Sequence, residues 1–244
     1  MKRNHTISRL LSATLLTLAA CACASAEAPV KIGVRAAVNT SNISGTRMFN
    51  NVSGLQTNDW KTGFALGAVV DIRMTRRFYM QPGFYYDYNR CAYKTSISYP
   101  GVETGDVPVD IARHTDGTMT TSWFQIPVLA SYRLNLKFVE LQADFGPYIA
   151  LGLGGSDDET VTTFSGDIPA ETSPTIKTEA FGRGDDDRLE NIDWGFKMGV
   201  GFLFARHYYV GAHYQIGARN IARAKEFLSK SHRYAWEFSI GYNF

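Results

Sequence analysis

Residues 192–204 read Ile-Asp-Trp-Gly-Phe-Lys-Met-Gly-Val-Gly-Phe-Leu-Phe, and this stretch decides the fold. Large apolar side chains recur at every second position, for example from Trp194 to Phe204. Between them stand mostly glycines and charged residues, here Asp193 and Lys197. A two-residue period is typical of a β-strand, whose successive side chains point to opposite faces. The stretch therefore predicts a strand with one apolar face and one face that is polar or small.

The same alternation recurs in seven further segments. They are residues 30–39, 62–73, 78–89, 122–132, 138–151, 208–217 and 232–244. These lengths suit a tilted strand that crosses a bilayer, and the connections alternate between long and short, as in barrels with long outer loops and tight periplasmic turns. The pattern predicts an all-β, eight-stranded antiparallel transmembrane up-and-down β-barrel with both mature termini in the periplasm. Pro82, Pro127 and Pro147 fall inside segments, where they predict local bulges because proline cannot donate to the ladder.

Charged residues on the polar face indicate which face meets lipid. A basic side chain facing lipid near the midplane would cost about 2–4 kcal/mol, whereas inside a narrow lumen it can pair with an opposite charge. We therefore expect the apolar face to point outward and a polar network to fill the lumen. The residues predicted for this network are Lys31, Arg35, Asp71, Arg73, Asp87, Glu140, Asp144, Lys197, His213 and Glu237. The alternative is a soluble barrel of the lipocalin type, with its apolar face inward.

The amino-terminal residues have the pattern of an export signal. Three basic residues precede a short apolar run over residues 10–20, and Ala24-Ser25-Ala26 matches a cleavage site. This predicts a signal peptide over residues 1–26, cleaved after Ala26, and a barrel domain over residues 27–244. The run that ends at Cys21 also resembles a lipobox, so lipidation of Cys21 is the alternative to cleavage after Ala26.

Cleavage would change the charge and the thiol content of the chain. The full sequence has 25 basic and 23 acidic residues and a net charge of +2. Removal of Lys2, Arg3 and Arg9 leaves 22 against 23, or −1, so nothing suggests a nucleic-acid partner. Cys91 would be the lone remaining cysteine, which offers neither an intrachain disulfide nor a metal cluster.

Four stretches of sequence carry a resemblance to a known family. They are Lys-Ile-Gly-Val-Arg-Ala-Ala-Val-Asn-Thr-Ser-Asn-Ile-Ser-Gly at 31–45, Thr-Gly-Phe-Ala-Leu-Gly at 62–67, Phe-Gln-Ile-Pro-Val-Leu at 124–129 and Tyr-Asn-Phe at 242–244. The chain resembles the PorT-like outer-membrane β-barrel proteins, a family of small bacterial porin-family barrels. The resemblance implies the fold and an outer-membrane location, and by analogy a role as a secretion accessory. It assigns no functional residue.

Several features predict partners at the envelope. The aromatic Phe244, in phase with the apolar face of its strand, resembles the signal read by the barrel assembly machinery. Basic residues near the last connection could meet lipopolysaccharide phosphates; they are Arg219, Arg223, Lys225, Lys230 and Arg233. Residues 93–99 and 160–164 keep a strand-like texture inside the predicted loops and could offer edges to a protein partner.

The sequence contains no recognisable catalytic motif. His213 is the one histidine well inside a predicted strand, and Ser239 lies in the next strand, but no local pattern joins them. The acidic run Asp185-Asp186-Asp187 lacks the alternation and the glycine of a calcium loop. We therefore predict no catalytic, cofactor or metal site. The leading functional hypothesis is a structural or binding role through the surface loops; the alternatives are a narrow passive porin, a lipid-modifying enzyme and a secretion accessory protein.

Overall fold

The computed structural model describes residues 30–46, 53–104, 107–165, 168–181, 189–222 and 230–244, so the predicted cleavage site at Ala26 lies outside the described residues. These residues form ten β-strands. They are β1 (Val30–Thr46), β2 (Ser53–Arg73), β3 (Phe78–Thr104), β4 (Val107–Asn135), β5 (Val139–Ser165), β6 (Ile168–Thr172), β7 (Ile176–Glu179), β8 (Ile192–Phe204), β9 (Tyr208–Gly217) and β10 (Lys230–Asn243). No helix among the described residues is long and apolar enough to cross a membrane.

Eight of the ten strands close into a ring. From β1 to β5, each strand of the ring pairs with the next one along the chain. Strand β5 then pairs with β8, β8 with β9, β9 with β10, and β10 with β1, which closes the ring. Every pairing is antiparallel. The predicted all-β antiparallel barrel is thus confirmed. The short strands β6 and β7 stand outside the ring and pair with β5 alone.

The two-residue period of the sequence appears directly as alternating exposure. Along β8 the side chains of Trp194 and Phe196 are exposed, whereas Asp193 and Lys197 are buried. The same alternation runs along β1, β9 and β10. The apolar residues therefore face outward and the polar ones inward, which is the reverse of the lipocalin arrangement.

Aromatic side chains border this apolar band at both ends. At the end with the short turns, Phe78 packs on Tyr132 with ring centroids 5.0 Å apart. At the opposite end, Tyr214 packs on Trp236 at 4.6 Å. Ten residue steps separate Trp194 from Phe204 in β8; at roughly 3.3 Å per step and a tilt of about 40° they rise about 25 Å, the height of the lipid-facing band of outer-membrane barrels.

Strands β2 to β5 extend far beyond the predicted segments. The predicted long connections over residues 40–61, 90–121 and 152–191 were wrong in large part: β1 continues to Thr46, and β2 already pairs with β3 from Ser53 onward. Strands β3 and β4 pair as far as Thr104 and Val107, and β5 continues to Ser165. Residues 53–61, 90–104, 107–121 and 152–165, together with β6 and β7, form what we call the protruding sheet. Fifteen residues of strand reach roughly 50 Å along the chain, well past the apolar band.

The predicted bulges at the prolines were also wrong. The ladder keeps one register on both sides of Pro82, Pro127 and Pro147. The register shifts instead near the ends of the barrel segments, at Lys61/Phe64 in β2 and at Ser122/Trp123 in β4. A proline removes one ladder donor, and here that loss does not displace the neighbouring strand.

Candidate functional site

The inside of the barrel is filled by polar groups in three tiers. The lowest tier lies near the short turns and centres on Asp71. Its Oδ1 lies 2.8 Å from Arg133 Nη2 and accepts a hydrogen bond of 2.6 Å from Gln81. Asn243 donates to the other carboxylate oxygen at 3.3 Å. Arg133 also lies 3.3 Å from Glu140, so this tier joins five strands of the ring.

The middle tier contains one ion pair, one histidine–carboxylate contact and two cation–π contacts. Lys197 Nζ lies 2.8 Å from Glu237 Oε2, and His213 Nε2 lies 3.1 Å from Asp144 Oδ2. The guanidinium of Arg35 stands 4.0 Å from the ring centre of Tyr209. All these side chains are buried, and a buried charge is tolerated only where a partner satisfies it.

The upper tier is built around Arg233. Its Nε lies 3.1 Å from Asp193 Oδ2, which also accepts a hydrogen bond of 2.8 Å from Tyr148. Its Nη2 donates to Gln125 Oε1 at 2.9 Å. The guanidinium lies 4.6 Å from the ring centre of Trp123. Strands β4, β5, β8 and β10 are thus joined across the lumen.

An apolar cluster closes the barrel above this tier. Its buried members are Cys91, Met119, Trp123, Tyr148, Ala150, Leu189 and Ile221. Leu189 and Ile221 come from the connections that flank β8 and β9, and a bridge between Leu189 and Ala222 ties those two connections together. Phe181 packs edge-on against Trp123 at 4.8 Å. We call this cluster the apolar plug, because it covers the lumen on the side of the protruding sheet.

The structure places most residues of the predicted network inside the barrel. Seven are buried: Arg35, Asp71, Asp87, Asp144, Lys197, His213 and Glu237. Glu140 is half-buried in the lowest tier, and Lys31 is half-buried at the turn end. The prediction that Arg73 lies in the lumen was wrong. Arg73 is exposed at the end of β2, where its Nε donates to the Thr75 carbonyl at 3.2 Å. Its position beside the turn brings it to solvent rather than into the packed interior.

Two central residues of the network escaped the sequence prediction. Arg133 falls just after the predicted fourth segment, among residues expected to form a turn. Arg233 was expected in a basic surface region facing lipopolysaccharide, but its side chain is 0% exposed. Of that basic region, Arg219 lies 3.7 Å from Glu190, and residues 223–229 lie outside the described residues. Phe244, the predicted assembly signal, is exposed and its amide donates to the Ile32 carbonyl at 2.8 Å.

No catalytic pair forms between His213 and Ser239. The His213 ring is hydrogen-bonded to Asp144, whereas the Ser239 hydroxyl donates to the Gly211 carbonyl at 3.4 Å. In the ladder Ser239 lies opposite Gly211, two residues before His213. Within the described ranges no cluster of three or more histidine, cysteine or acidic side chains could hold a metal ion.

The turn end of the barrel opens into a cavity of about 990 Å³, which we call the turn-side mouth. Its lining includes Lys31, Arg73, Arg76, Lys137 and Arg206. The cavity is basic and concave, and the lowest tier forms its floor through Arg133 and Glu140. It thus lies at the end of the barrel opposite the protruding sheet.

The protruding sheet presents edge strands to solvent. All five residues of β6 are exposed, and the side chains of Ile168 in β6 and Ile176 in β7 are 72% and 49% exposed. Deeper in the same sheet, the Tyr93 hydroxyl donates to the buried Asp157 at 2.9 Å. An exposed strand edge with apolar side chains is a template on which another chain can add a strand.

Comparison with known proteins gives one family and several solved structures. The family described as "Outer membrane protein beta-barrel domain" matches residues 23–223. The attachment invasion locus protein Ail of Yersinia pestis is 11% identical, with 88% of this chain and 99% of that chain covered and a TM-score of 0.41. OprG of Pseudomonas aeruginosa is 15% identical over 88% and 94%, with a TM-score of 0.33. Neisserial surface protein A is 12% identical over 88% and 97%, with a TM-score of 0.35. No curated protein matches the sequence.

Proposed function

The chain belongs to the outer membrane protein β-barrel domain family, and on that premise we propose that it is a surface-binding barrel, which spans the outer membrane with eight strands and binds a protein partner through its protruding sheet. The observation that carries this proposal is the extension of β3, β4 and β5 beyond the apolar band. A strand that only anchors a barrel needs about 9–11 residues, and β4 has 29. The remaining residues of β4 therefore extend outside the membrane, where they are available to a binding partner.

The asymmetry of the two ends supports one orientation of the barrel. Tight turns such as residues 205–207 join the strands at one end, and the long connections and the protruding sheet stand at the other. In outer-membrane barrels the short turns are periplasmic and the long loops extracellular. The protruding sheet then faces the outside of the cell, and Val30 and Phe244 lie on the periplasmic side.

The packed lumen favours binding over permeation. Three tiers of ion pairs and hydrogen bonds fill the interior, and the apolar plug covers it. An eight-stranded barrel is just wide enough to be filled by its own side chains. A passive porin would need a continuous gap through all of these layers.

The mode of binding that best fits the sheet is strand addition. Strand β6 pairs with β5 along one edge and is the last strand of the sheet, so its other edge can accept a further strand. Its Ile168 side chain is exposed. A partner segment in extended conformation could continue the ladder, with backbone hydrogen bonds providing affinity and alternate side chains providing specificity. We also propose that the chain is related to the PorT-like proteins. In that case the protein partner bound by the protruding sheet would belong to a secretion system.

Cysteine labelling of intact cells tests the orientation. In a Cys91→Ser background, Asp116→Cys on the protruding sheet and Arg76→Cys in the β2–β3 turn place single thiols at exposed positions of opposite ends. A membrane-impermeant maleimide should label Asp116→Cys in whole cells and Arg76→Cys only after the outer membrane is permeabilised. The opposite pattern would refute the proposed orientation.

Peptide selection tests strand addition. We expect display selection against the chain in lipid nanodiscs to yield extended peptides with alternating apolar residues. Lysine on an edge strand opposes such pairing, so Ile168→Lys combined with Ile176→Lys should weaken the selected peptides at least tenfold. The matched control is Leu136→Lys, at an exposed apolar position of the turn end, and it should leave binding within twofold. Equal losses in the two variants would exclude the β6–β7 edge as the binding surface.

A further inference from the structure

The turn-side mouth has the size and shape of a ligand site. Its volume of about 990 Å³ falls within the range of about 300–1,000 Å³ typical of small-molecule pockets. Its wall combines basic side chains with apolar ones, among them Leu203 and Val139. None of the functions considered above uses this cavity.

The charges around the mouth are strongly unbalanced. Five cationic side chains line it besides the floor residue Arg133: Lys31, Arg73, Arg76, Lys137 and Arg206. Glu140 is the one carboxylate among the lining residues of the described chain, and it lies 3.3 Å from Arg133. Asp71 also pairs with Arg133, so the floor has a formal charge of −1, and the five cations of the rim leave the mouth strongly positive. A concave surface lined by one sign of charge concentrates ions of the opposite sign.

The mouth is closed at its inner end. Arg133 is held by Asp71 and Glu140 and stacks on the Tyr79 ring at 4.0 Å, and the upper tiers and the apolar plug lie beyond it. A solute that enters this cavity leaves by the same opening. The cavity therefore suits retention of a ligand rather than passage.

The turn that carries Arg206 adds an independent observation. Ala205 and Arg206 have φ angles of 48° and 66°, and His207 donates its amide to the Phe204 carbonyl at 3.0 Å. Two-residue hairpin turns with two positive φ angles strongly prefer Asn-Gly, because a Cβ is disfavoured there. The chain keeps an arginine in this unfavourable backbone conformation, at a position that lines the mouth.

We propose that the turn-side mouth binds an anionic phosphoryl group, supplied by a soluble phosphorylated compound or by a lipid headgroup. Three of the five rim cations are arginines, whose planar guanidinium matches the oxygens of a phosphate with two parallel hydrogen bonds. Binding at this end of the barrel does not depend on what the protruding sheet binds.

Calorimetric titration of the full chain, folded in zwitterionic detergent micelles, tests the site with inorganic pyrophosphate as the probe. We expect saturable binding that weakens as salt rises, because exposed charges are screened. Arg73→Gln combined with Arg206→Gln should weaken it at least fivefold. The control, Lys94→Gln combined with Arg113→Gln, removes the same charge from the protruding sheet and should leave affinity within twofold.

Arg206→Gly separates a binding role from a structural one. Glycine relieves the positive φ, so this variant should raise the melting temperature while it weakens pyrophosphate binding. Doping the micelles with phosphatidylglycerol distinguishes the sources: competition with pyrophosphate indicates a lipid headgroup, and no competition indicates a soluble ligand. Absence of saturable binding, equal losses in the control variant, or unchanged affinity in Arg206→Gly would overturn the proposal.

Discussion

Arg233 and Asp193 meet inside the barrel although β9 separates their strands: Arg233 Nε lies 3.1 Å from Asp193 Oδ2, and both side chains are 0% exposed. The ion pair therefore joins two strands that are not neighbours in the ladder. Tyr148 and Gln125 complete its hydrogen bonding from β5 and β4. Because β4 lies four places from β10 in the ring of eight strands, the hydrogen bond from Arg233 to Gln125 ties opposite walls of the barrel together.

Breaking this pair on one side should destabilise the barrel strongly. Arg233→Met leaves Asp193 charged in the lumen, and removal of one partner of a buried pair costs about 3–5 kcal/mol. Arg233→Met combined with Asp193→Leu removes both charges, so it should cost less than either single variant. Urea unfolding in lipid vesicles, followed by the shift of the folded band on unboiled gels, measures the difference. A double variant as unstable as Arg233→Met would show that packing, and not the uncompensated charge, dominates.

The barrel itself could be predicted from the sequence because its lipid-facing surface imposes a strict period of two. Every segment that crosses the apolar band must alternate apolar and polar side chains, as β8 does from Trp194 to Phe204. The eight strands and most of their inward-facing residues could therefore be predicted. The protruding sheet gives a weaker signal, limited to the strand-like texture of residues 93–99 and 160–164. Its strands are rich in threonine, serine and aspartate, as in residues 115–122, and a strand with solvent on its outer face needs no apolar stripe.

The centre of the polar network could be predicted only in part. Asp71, Lys197 and Glu237 stood out because each is a charged residue on the polar face of an alternating segment. Arg133 and Arg233 lie at the ends of predicted segments, where a charged residue usually marks a turn or a loop. Their burial depends on acidic partners from other strands, Asp71 and Asp193, and no local pattern records that pairing.

The Cys91 thiol should be inert while the barrel is folded. It lies two residues beyond Asn89, above the lipid-facing band, in the apolar plug, and burial raises its pKa to about 12. The thiolate is the reactive form, so below that pKa the folded protein should hold Cys91 as a neutral thiol. Iodoacetamide at pH 8 should leave the chain over residues 27–244 unmodified when folded and alkylate it fully after boiling in detergent, as mass spectrometry would measure. Complete alkylation of the folded barrel would mean that the plug opens to solvent.

The chain should not conduct ions in planar bilayers. Three tiers of paired side chains lie in series along the lumen, so even loss of the plug should leave the path blocked. We expect no discrete conductance steps above the detergent blank, either for the native chain or for Trp123→Ala combined with Ile221→Ala. An established open porin inserted under the same conditions is the positive control. Reproducible steps in the native chain would revive the narrow porin.

A charge on the outward face separates a membrane barrel from a soluble one. Phe238 is 59% exposed in the middle of the apolar stretch of β10, between Trp236 and Ile240. If this face meets lipid, Phe238→Arg places a guanidinium near the midplane and should destabilise the barrel in vesicles by about 2–4 kcal/mol. The same introduced charge in Ser98→Arg, at an exposed position of the protruding sheet, should change stability by less than about 0.5 kcal/mol. In a soluble barrel both positions face water. A loss of stability confined to Phe238→Arg would show that lipid contacts β10, whereas equally small losses in both variants would show that this face contacts water.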